Sequence, residues 1–136
     1  MRIPRTDALV LLGLVSLLTT SCLAPNDVAC TENLVFGLTV KVRDSVTGVP
    51  AGRQAVVIAQ EGSYSETLQF LGAISPTDSL TFFGAAERAG TYQIKVTKAG
   101  YQAWLRNGVE VVADVCHVHP AVVDVRLQPV QAQRGG

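Results

Sequence analysis

Apolar and polar residues alternate over several stretches of this chain, with the period of two that is typical of half-buried β-strands. The clearest stretch begins at Leu34 and ends at Arg43. Its apolar positions are Leu34, Phe36, Leu38, Val40 and Val42. Because successive side chains of a strand point to opposite faces, these residues are predicted to share the buried face of one strand.

Shorter stretches of the same kind follow, separated by residues that favour turns. The predicted strands cover 55–59, 64–71, 80–83, 90–96, 103–105, 109–112 and 122–127. The segment 61–79 has the weakest pattern, and no stretch beyond residue 21 shows the 3.6-residue period of a helix. About seven short strands in one small domain predict an all-β fold, an antiparallel β-sandwich of transthyretin-like or immunoglobulin-like type.

The first residues have the three parts of a secretory signal peptide. Arg2 and Arg5 supply positive charge, an apolar run extends from Ala8 to Leu18, and small polar residues lead to Cys22. The apolar run is about half of the roughly 20 residues that a membrane-spanning helix needs. The sequence therefore predicts an exported protein that faces the periplasm or the cell exterior.

The step from Ser21 to Cys22 resembles the lipobox of bacterial lipoproteins, a family in which the cysteine is acylated and becomes the new N-terminus. Thr19 stands where that family prefers Leu, so ordinary signal-peptide cleavage with a spare cysteine is the alternative. Acylation at Cys22 would anchor the domain to a membrane, because several acyl chains bind firmly where one binds weakly. The predicted organisation is a signal peptide over 1–21, an anchor and tether over 22–33, a β-sandwich over 34–128 and a flexible tail over 129–136.

Charge excludes two classes of partner. Residues 1–21 hold two of the eleven basic and one of the eleven acidic residues, so nine positive and ten negative charges remain after cleavage. This balance offers neither the basic patch that nucleic acid requires nor a polybasic segment for anionic lipid. We expect no nucleic-acid partner, and a membrane contact only through the N-terminal lipid.

The three cysteines leave a pair once Cys22 is assigned to the lipid. Cys30 and Cys116 would then form a disulfide, as expected for an exported protein in an oxidising compartment. The alternative use of Cys116 is a metal site shared with His117 and His119.

Three segments resemble the carboxypeptidase regulatory-like domains, a family of transthyretin-like sandwiches in bacterial envelope proteins. They are the strand and turn 40–44 with 47–50, the strand 90–96, and the corner 98–101. The resemblance spans most of 34–128, and it implies a β-sandwich that serves as an accessory module. It implies no catalytic residues and no cofactor.

The two histidines are the best hint of a metal. His117 and His119 are two positions apart, so on a strand they would share one face. Tetrahedral zinc needs three or four ligands, however, and Cys116 would point to the opposite face. We therefore expect no metal site, with exposed histidines at the start of the last strand.

Aromatic and nucleophilic residues add little to the chemistry. Tyr101 and Trp104 are expected to pack at one end of the sandwich, with a ligand-stacking rim as the alternative. No serine lies in a G-x-S-x-G turn, and Glu61 and Glu66 are expected in a solvated loop.

These observations favour a non-catalytic, lipid-anchored accessory or binding module for an envelope protein or glycan. The alternative is a small metal-binding or enzymatic envelope protein that uses His117 and His119.

Overall fold

The structure, a computed structural model, describes residues 28–70 and 81–131. The predicted signal peptide, the predicted acylation site Cys22 and residues 132–136 lie outside these ranges. Within them the regular structure is entirely β, which confirms the predicted all-β class. The strands of the described ranges are β1 (Phe36–Asp44), β2 (Val56–Glu61), β3 (Tyr64–Thr67), β4 (Gln69–Phe70), β5 (Thr81–Ala86), β6 (Gly90–Thr97), β7 (Trp104–Ala113), β8 (Val118–His119) and β9 (Ala121–Leu127).

The strands form two sheets in a sandwich-like arrangement. One sheet has the order β4-β5-β1-β9, and the other has the order β3-β2-β6-β7-β8. Neighbouring strands are antiparallel, with one exception: β1 and β9 are parallel, with Leu38 opposite Ala121 and Asp44 opposite Leu127. The prediction of a purely antiparallel fold was wrong at this pair. The chain reaches β9 from β8 at the end where β1 begins, so β9 has to run in the same direction as β1.

One hydrophobic core lies between the sheets and explains the alternation in the sequence. Leu38, Val40 and Val42 of β1 are fully buried, as predicted. The opposite sheet contributes the fully buried side chains Val57, Tyr92, Ile94 and Val96, and β9 contributes Val123, Val125 and Leu127. Each such side chain stabilises the fold by about 1.5–3 kcal/mol relative to an exposed one.

The two short strands predicted at 103–105 and 109–112 are one strand, β7. The polar residues between them suggested a turn, but they continue the strand as its exposed part. Gly108 has a φ of 70°, and the register with β6 shifts between Tyr92 and Ile94. The extra residue is therefore absorbed as a β-bulge, which bends the strand without ending it.

The strand directions define two opposite ends of the fold. At the first, which we call the tether end, β1, β6 and β9 begin and β5 and β7 finish. At the second, the rim end, β1, β6 and β9 finish and β2 and β7 begin. Within the described residues no helix is long and apolar enough to cross a membrane.

The ordered domain extends beyond its predicted limits at both termini. Pro129 pairs with Tyr101, and the Val130 amide donates to the Gly100 carbonyl. These two residues, predicted to begin a flexible tail, therefore belong to the rim end. Cys30, predicted as part of the tether, is bound to the tether end.

Candidate functional site

A disulfide joins Cys30 to Cys116 at the tether end, which confirms the predicted pair. The two Cα atoms are 5.2 Å apart, within the usual range for disulfides. Cys30 precedes β1, and Cys116 lies between β7 and β8. The bond therefore fixes the start of the domain to a loop 86 positions later in the sequence.

Asp114 shapes the loop that carries Cys116. Its Oδ1 accepts the Cys116 amide at 2.7 Å and the His117 amide at 2.9 Å, and its own amide donates to the His117 carbonyl. This is an Asx-turn, in which the Asp side chain accepts a backbone amide two residues later in the sequence. The amide of His117, then that of Cys116, holds the pKa of Asp114 below its usual value. A negative charge at Asp114 thus keeps Cys116 and His117 in place.

His117 connects the loop to the first described residues. Its Nδ1 lies 2.9 Å from Glu87 Oε1, and its Nε2 lies 2.9 Å from Thr31 Oγ1. Glu87 Oε1 also accepts the Val35 amide at 2.7 Å, and the Val35 carbonyl accepts the Glu87 amide. The Val35 amide, followed by His117, lowers the pKa of Glu87. Thr31 and Glu87 were not singled out in the sequence, because their spacing from His117 carries no local signal.

The histidines do not form a common metal site. His119 Nε2 is 3.1 Å from Asp114 Oδ2, whereas His117 contacts Glu87, so each imidazole faces its own carboxylate. Among the described residues, no group of three or more His, Cys, Asp or Glu side chains is arranged to hold a metal ion. The histidines do not begin the last strand, since His119 ends β8 and His117 precedes it.

A second cluster at the tether end contains Glu61 and Arg88. Arg88 Nη2 donates to Glu61 Oε2 at 2.9 Å, and the Thr91 amide donates to Glu61 Oε1 at 2.8 Å. Gly90 makes room for this carboxylate, because a Cβ at that position would come within 2.1 Å of Glu61 Oε1. The expectation that Glu61 lies in a solvated loop was wrong. It ends β2, and its charge joins β2 to the start of β6.

Glu66 was expected in the same solvated loop but also falls in the predicted strand 64–71, and the structure places it in strand β3. Its Oε2 accepts the Tyr64 hydroxyl at 2.7 Å and the amide of buried Ala85 at 2.8 Å. Burial, together with the hydrogen bond to Glu66, raises the pKa of Tyr64 to about 12. The Arg88 guanidinium lies 4.1 Å from the centre of the Tyr64 ring, at a cation–π distance. Both carboxylates therefore link strands of the tether end.

Asp44 organises the rim end in the way that Asp114 organises the tether end. Its Oδ1 accepts the Val46 and Thr47 amides, each at 2.8 Å, and its Oδ2 accepts the Tyr101 hydroxyl at 2.9 Å. The Thr47 amide, followed by the Tyr101 hydroxyl, lowers the pKa of Asp44. The carboxylate thus shapes the turn after β1 and connects it to the corner at Tyr101.

Tyr101 and Trp104 both pack against the core as partly buried side chains. Tyr101 donates its hydroxyl to Asp44, and Lys98 Nζ lies 5.8 Å from the centre of its ring. Trp104 is in register with Val96, a fully buried residue, so the indole is on the inner side of its sheet. These contacts are those of side chains that pack at the rim end with part of their surface exposed.

Exposed apolar and cationic residues surround this corner. Val46, Val49 and Val130 are 76%, 58% and 56% exposed. Arg53 and Arg126 are exposed, and half-buried Lys98 donates to the Arg53 carbonyl. We call these six residues the rim: Val46, Val49, Arg53, Lys98, Arg126 and Val130. The tether end, by contrast, carries the carboxylates of Glu61, Glu87 and Asp114.

No protein-family model matches the chain, and no curated protein matches it. The resemblance to carboxypeptidase regulatory-like domains stays a prediction.

Proposed function

We propose that the protein is a non-catalytic, lipid-anchored module of the cell envelope, which acts as an accessory or binding domain for an envelope partner. The proposal combines the signal sequence and Cys22 with a small all-β domain that contains a disulfide. It extends to the finer fold, a transthyretin-like sandwich. The corner at Gly100 and Tyr101, which carried the resemblance, supports that assignment because it closes one end of both sheets.

The observation that carries the proposal is the attachment of residues 30–35 to the tether end. Cys30 is bonded to Cys116, and Thr31 and Val35 contact His117 and Glu87. An anchor at Cys22 would therefore hold the tether end next to the membrane. The rim end would be left available to a partner.

Substitution of the acylated residue tests the anchor. In cells that produce the protein, Cys22→Ala should move it from the membrane fraction to the soluble fraction, because the predicted lipid is lost. Thr20→Ala, two positions earlier, is the matched control and should leave the protein in the membrane fraction. Retention of the Cys22→Ala variant in the membrane would contradict the proposal.

One observation favours a second function, enzymatic chemistry at the tether end. Thr31, His117 and Glu87 are hydrogen-bonded in the order hydroxyl, imidazole, carboxylate, which is the order in nucleophilic hydrolases. They line an open groove of about 490 Å³. Against this, the carboxylate oxygen that contacts His117 also accepts the Val35 amide, as expected for a structural contact.

An ester-hydrolysis assay separates the two functions. The non-catalytic module should hydrolyse a p-nitrophenyl ester at a rate that is the same for the unaltered chain and for Thr31→Ala. An enzyme would lose at least about a hundredfold in rate with Thr31→Ala. Thr31→Ser should then retain much of the activity, since the hydroxyl is kept.

A further inference from the structure

We infer that the rim docks onto an acidic surface of a partner protein, on the side of the domain that points away from the membrane. This inference rests on the proposed lipid anchor, and it adds the orientation of the domain and the chemistry of the partner. It is carried by three observations: the reach of the tether, the charges of the two ends, and the exposed valines.

The tether is too short to let the rim end face the membrane. Cys30 follows Cys22 by eight positions, a length that spans about 28 Å at full extension. A flexible chain of that length has an end-to-end distance of roughly 16 Å. Strand β1 alone spans about 30 Å between the two ends of the fold. Turning the rim end toward the bilayer would therefore require a tether stretched to its limit.

Among the described residues, the three cations of the rim form no ion pair with a carboxylate. Arg53 and Arg126 are exposed, and Lys98 is half-buried. Asp44, beside them, is buried and already accepts three hydrogen bonds. Asp124 is exposed on the same face of β9 as Arg126, so three cations stand against two carboxylates here. Such a patch attracts an acidic surface and raises the rate of encounter with it.

The valines of the rim favour a protein over a glycan. Val46 and Val49 lie in the turn after β1, and their exposed apolar surface would lose water against apolar side chains of a partner. A sugar ring would gain less from these valines, because its hydroxyl groups need polar partners and the valines offer no flat face to stack on. Tyr101 packs against the core beneath Lys98, and Trp104 is on the inner side of its sheet. Phe70 is 43% exposed and lines a groove with Arg53 and Phe82, so the choice of a protein rests on the valines, and a glycan adduct is one of the outcomes of the test.

Photocrosslinking in producing cells tests the inference with the full, lipidated chain. The photoreactive residue p-benzoylphenylalanine is introduced at Thr47, in the rim turn, and separately at Ser63, an exposed position in the turn between β2 and β3. We expect an adduct that contains a second protein from position 47 and none from position 63.

Charge reversal decides whether the rim itself makes the contact. Arg53→Glu combined with Arg126→Glu should lower the yield of the adduct about tenfold or more, because attraction becomes repulsion. The matched control is Lys95→Glu combined with Arg106→Glu, which reverses two exposed charges of the five-stranded sheet outside the rim. It should leave the yield unchanged. In isolated membranes that contain the chain with its rim unaltered, salt added before illumination should lower the yield of the adduct, because it screens the attraction.

Four results would overturn the inference: no protein adduct from position 47, an adduct with a glycan or lipid, equal yield from position 63, or a yield that survives the reversal at Arg53 and Arg126. Failure of the proposed function looks different. In that case the Cys22→Ala variant stays in the membrane fraction, whatever the crosslinking shows.

Discussion

The two ends of the domain are built from similar parts and differ in what those parts contact. At each end an Asp accepts backbone amides and shapes a turn, Asp114 at the tether end and Asp44 at the rim end. At the tether end, a disulfide and charged hydrogen bonds join residues that are far apart in the sequence. At the rim end, the charged side chains Arg53 and Arg126 remain exposed.

Polar groups join distant segments at both ends, but the tether end adds a disulfide and further carboxylates to such links. Glu61, Glu66 and Glu87 each accept a backbone amide from another strand or from the residue just before β1. Hydrogen bonds to charged groups are stronger than neutral ones. For this reason our proposal assigns the N-terminal anchor to the tether end and the partner to the rim end.

Loss of the disulfide should have the largest effect. Replacing Cys30 and Cys116 by Ser should lower the free energy of unfolding by about 4 kcal/mol, because a loop of this length is no longer closed in the unfolded chain. Denaturant unfolding measures the difference. Hydrogen exchange should locate faster opening at residues 28–35, with the turn after β1 little changed. An unchanged midpoint would show that the disulfide contributes nothing to the tether end.

Glu66→Ala should cost about 1–3 kcal/mol, because the amide of buried Ala85 loses its acceptor. Glu66→Gln keeps an oxygen at the same place and should recover part of the loss. Glu110→Ala, at an exposed position of β7, is the matched control and should change the stability by less than about 0.5 kcal/mol. Equal effects of Glu66→Ala and Glu110→Ala would contradict a linking role for Glu66.

Alkaline pH should weaken the tether end through Tyr64. Its pKa is raised from 10.0 to about 12 in the folded chain, so its contribution to stability is fully present below pH 10 and is lost as the pH rises to about 12. The absorbance of the tyrosinate measures the ionisation of Tyr64, and the midpoint of denaturant unfolding measures the stability at each pH. Tyr64→Phe should flatten the fall in stability over that interval, and an unchanged slope would contradict it.

Zinc should have the smallest effect. Because His117 and His119 face different carboxylates, added zinc should leave the melting temperature unchanged. A rise that His117→Ala and His119→Ala both abolish would establish a shared metal site and revive the alternative function.

The strand pattern could be predicted from the sequence where burial on one face imposes a period of two, as in β1 and β6. The prediction failed at β7, because the strand is exposed on both sides around Gly108. Without a buried face, Gly108 and its polar neighbours look like a turn. The parallel pairing of β1 with β9 could not be predicted either, since pairing between distant strands leaves no local pattern in the sequence.

Of the candidate sites, too, some features could be predicted from the sequence and others could not. The disulfide followed from the number of cysteines and the predicted compartment. The contacts of Thr31 and Glu87 with His117 did not, because they depend on how three distant segments meet. Glu61 and Glu66 were assigned to a loop because acidic residues usually lie in solvent, and backbone amides of neighbouring strands override that tendency here.

Trp104 reports directly on the proposed orientation of the domain relative to the membrane. It is the one tryptophan of the sequence and begins β7 at the rim end. Energy transfer is measured from it to dansyl-labelled headgroups in vesicles that carry the lipidated protein, and compared with a Ser63→Trp, Trp104→Phe variant. If the rim end faces away from the membrane, energy transfer should be weak from position 104 and strong from position 63. Equal transfer, or stronger transfer from position 104, would contradict it.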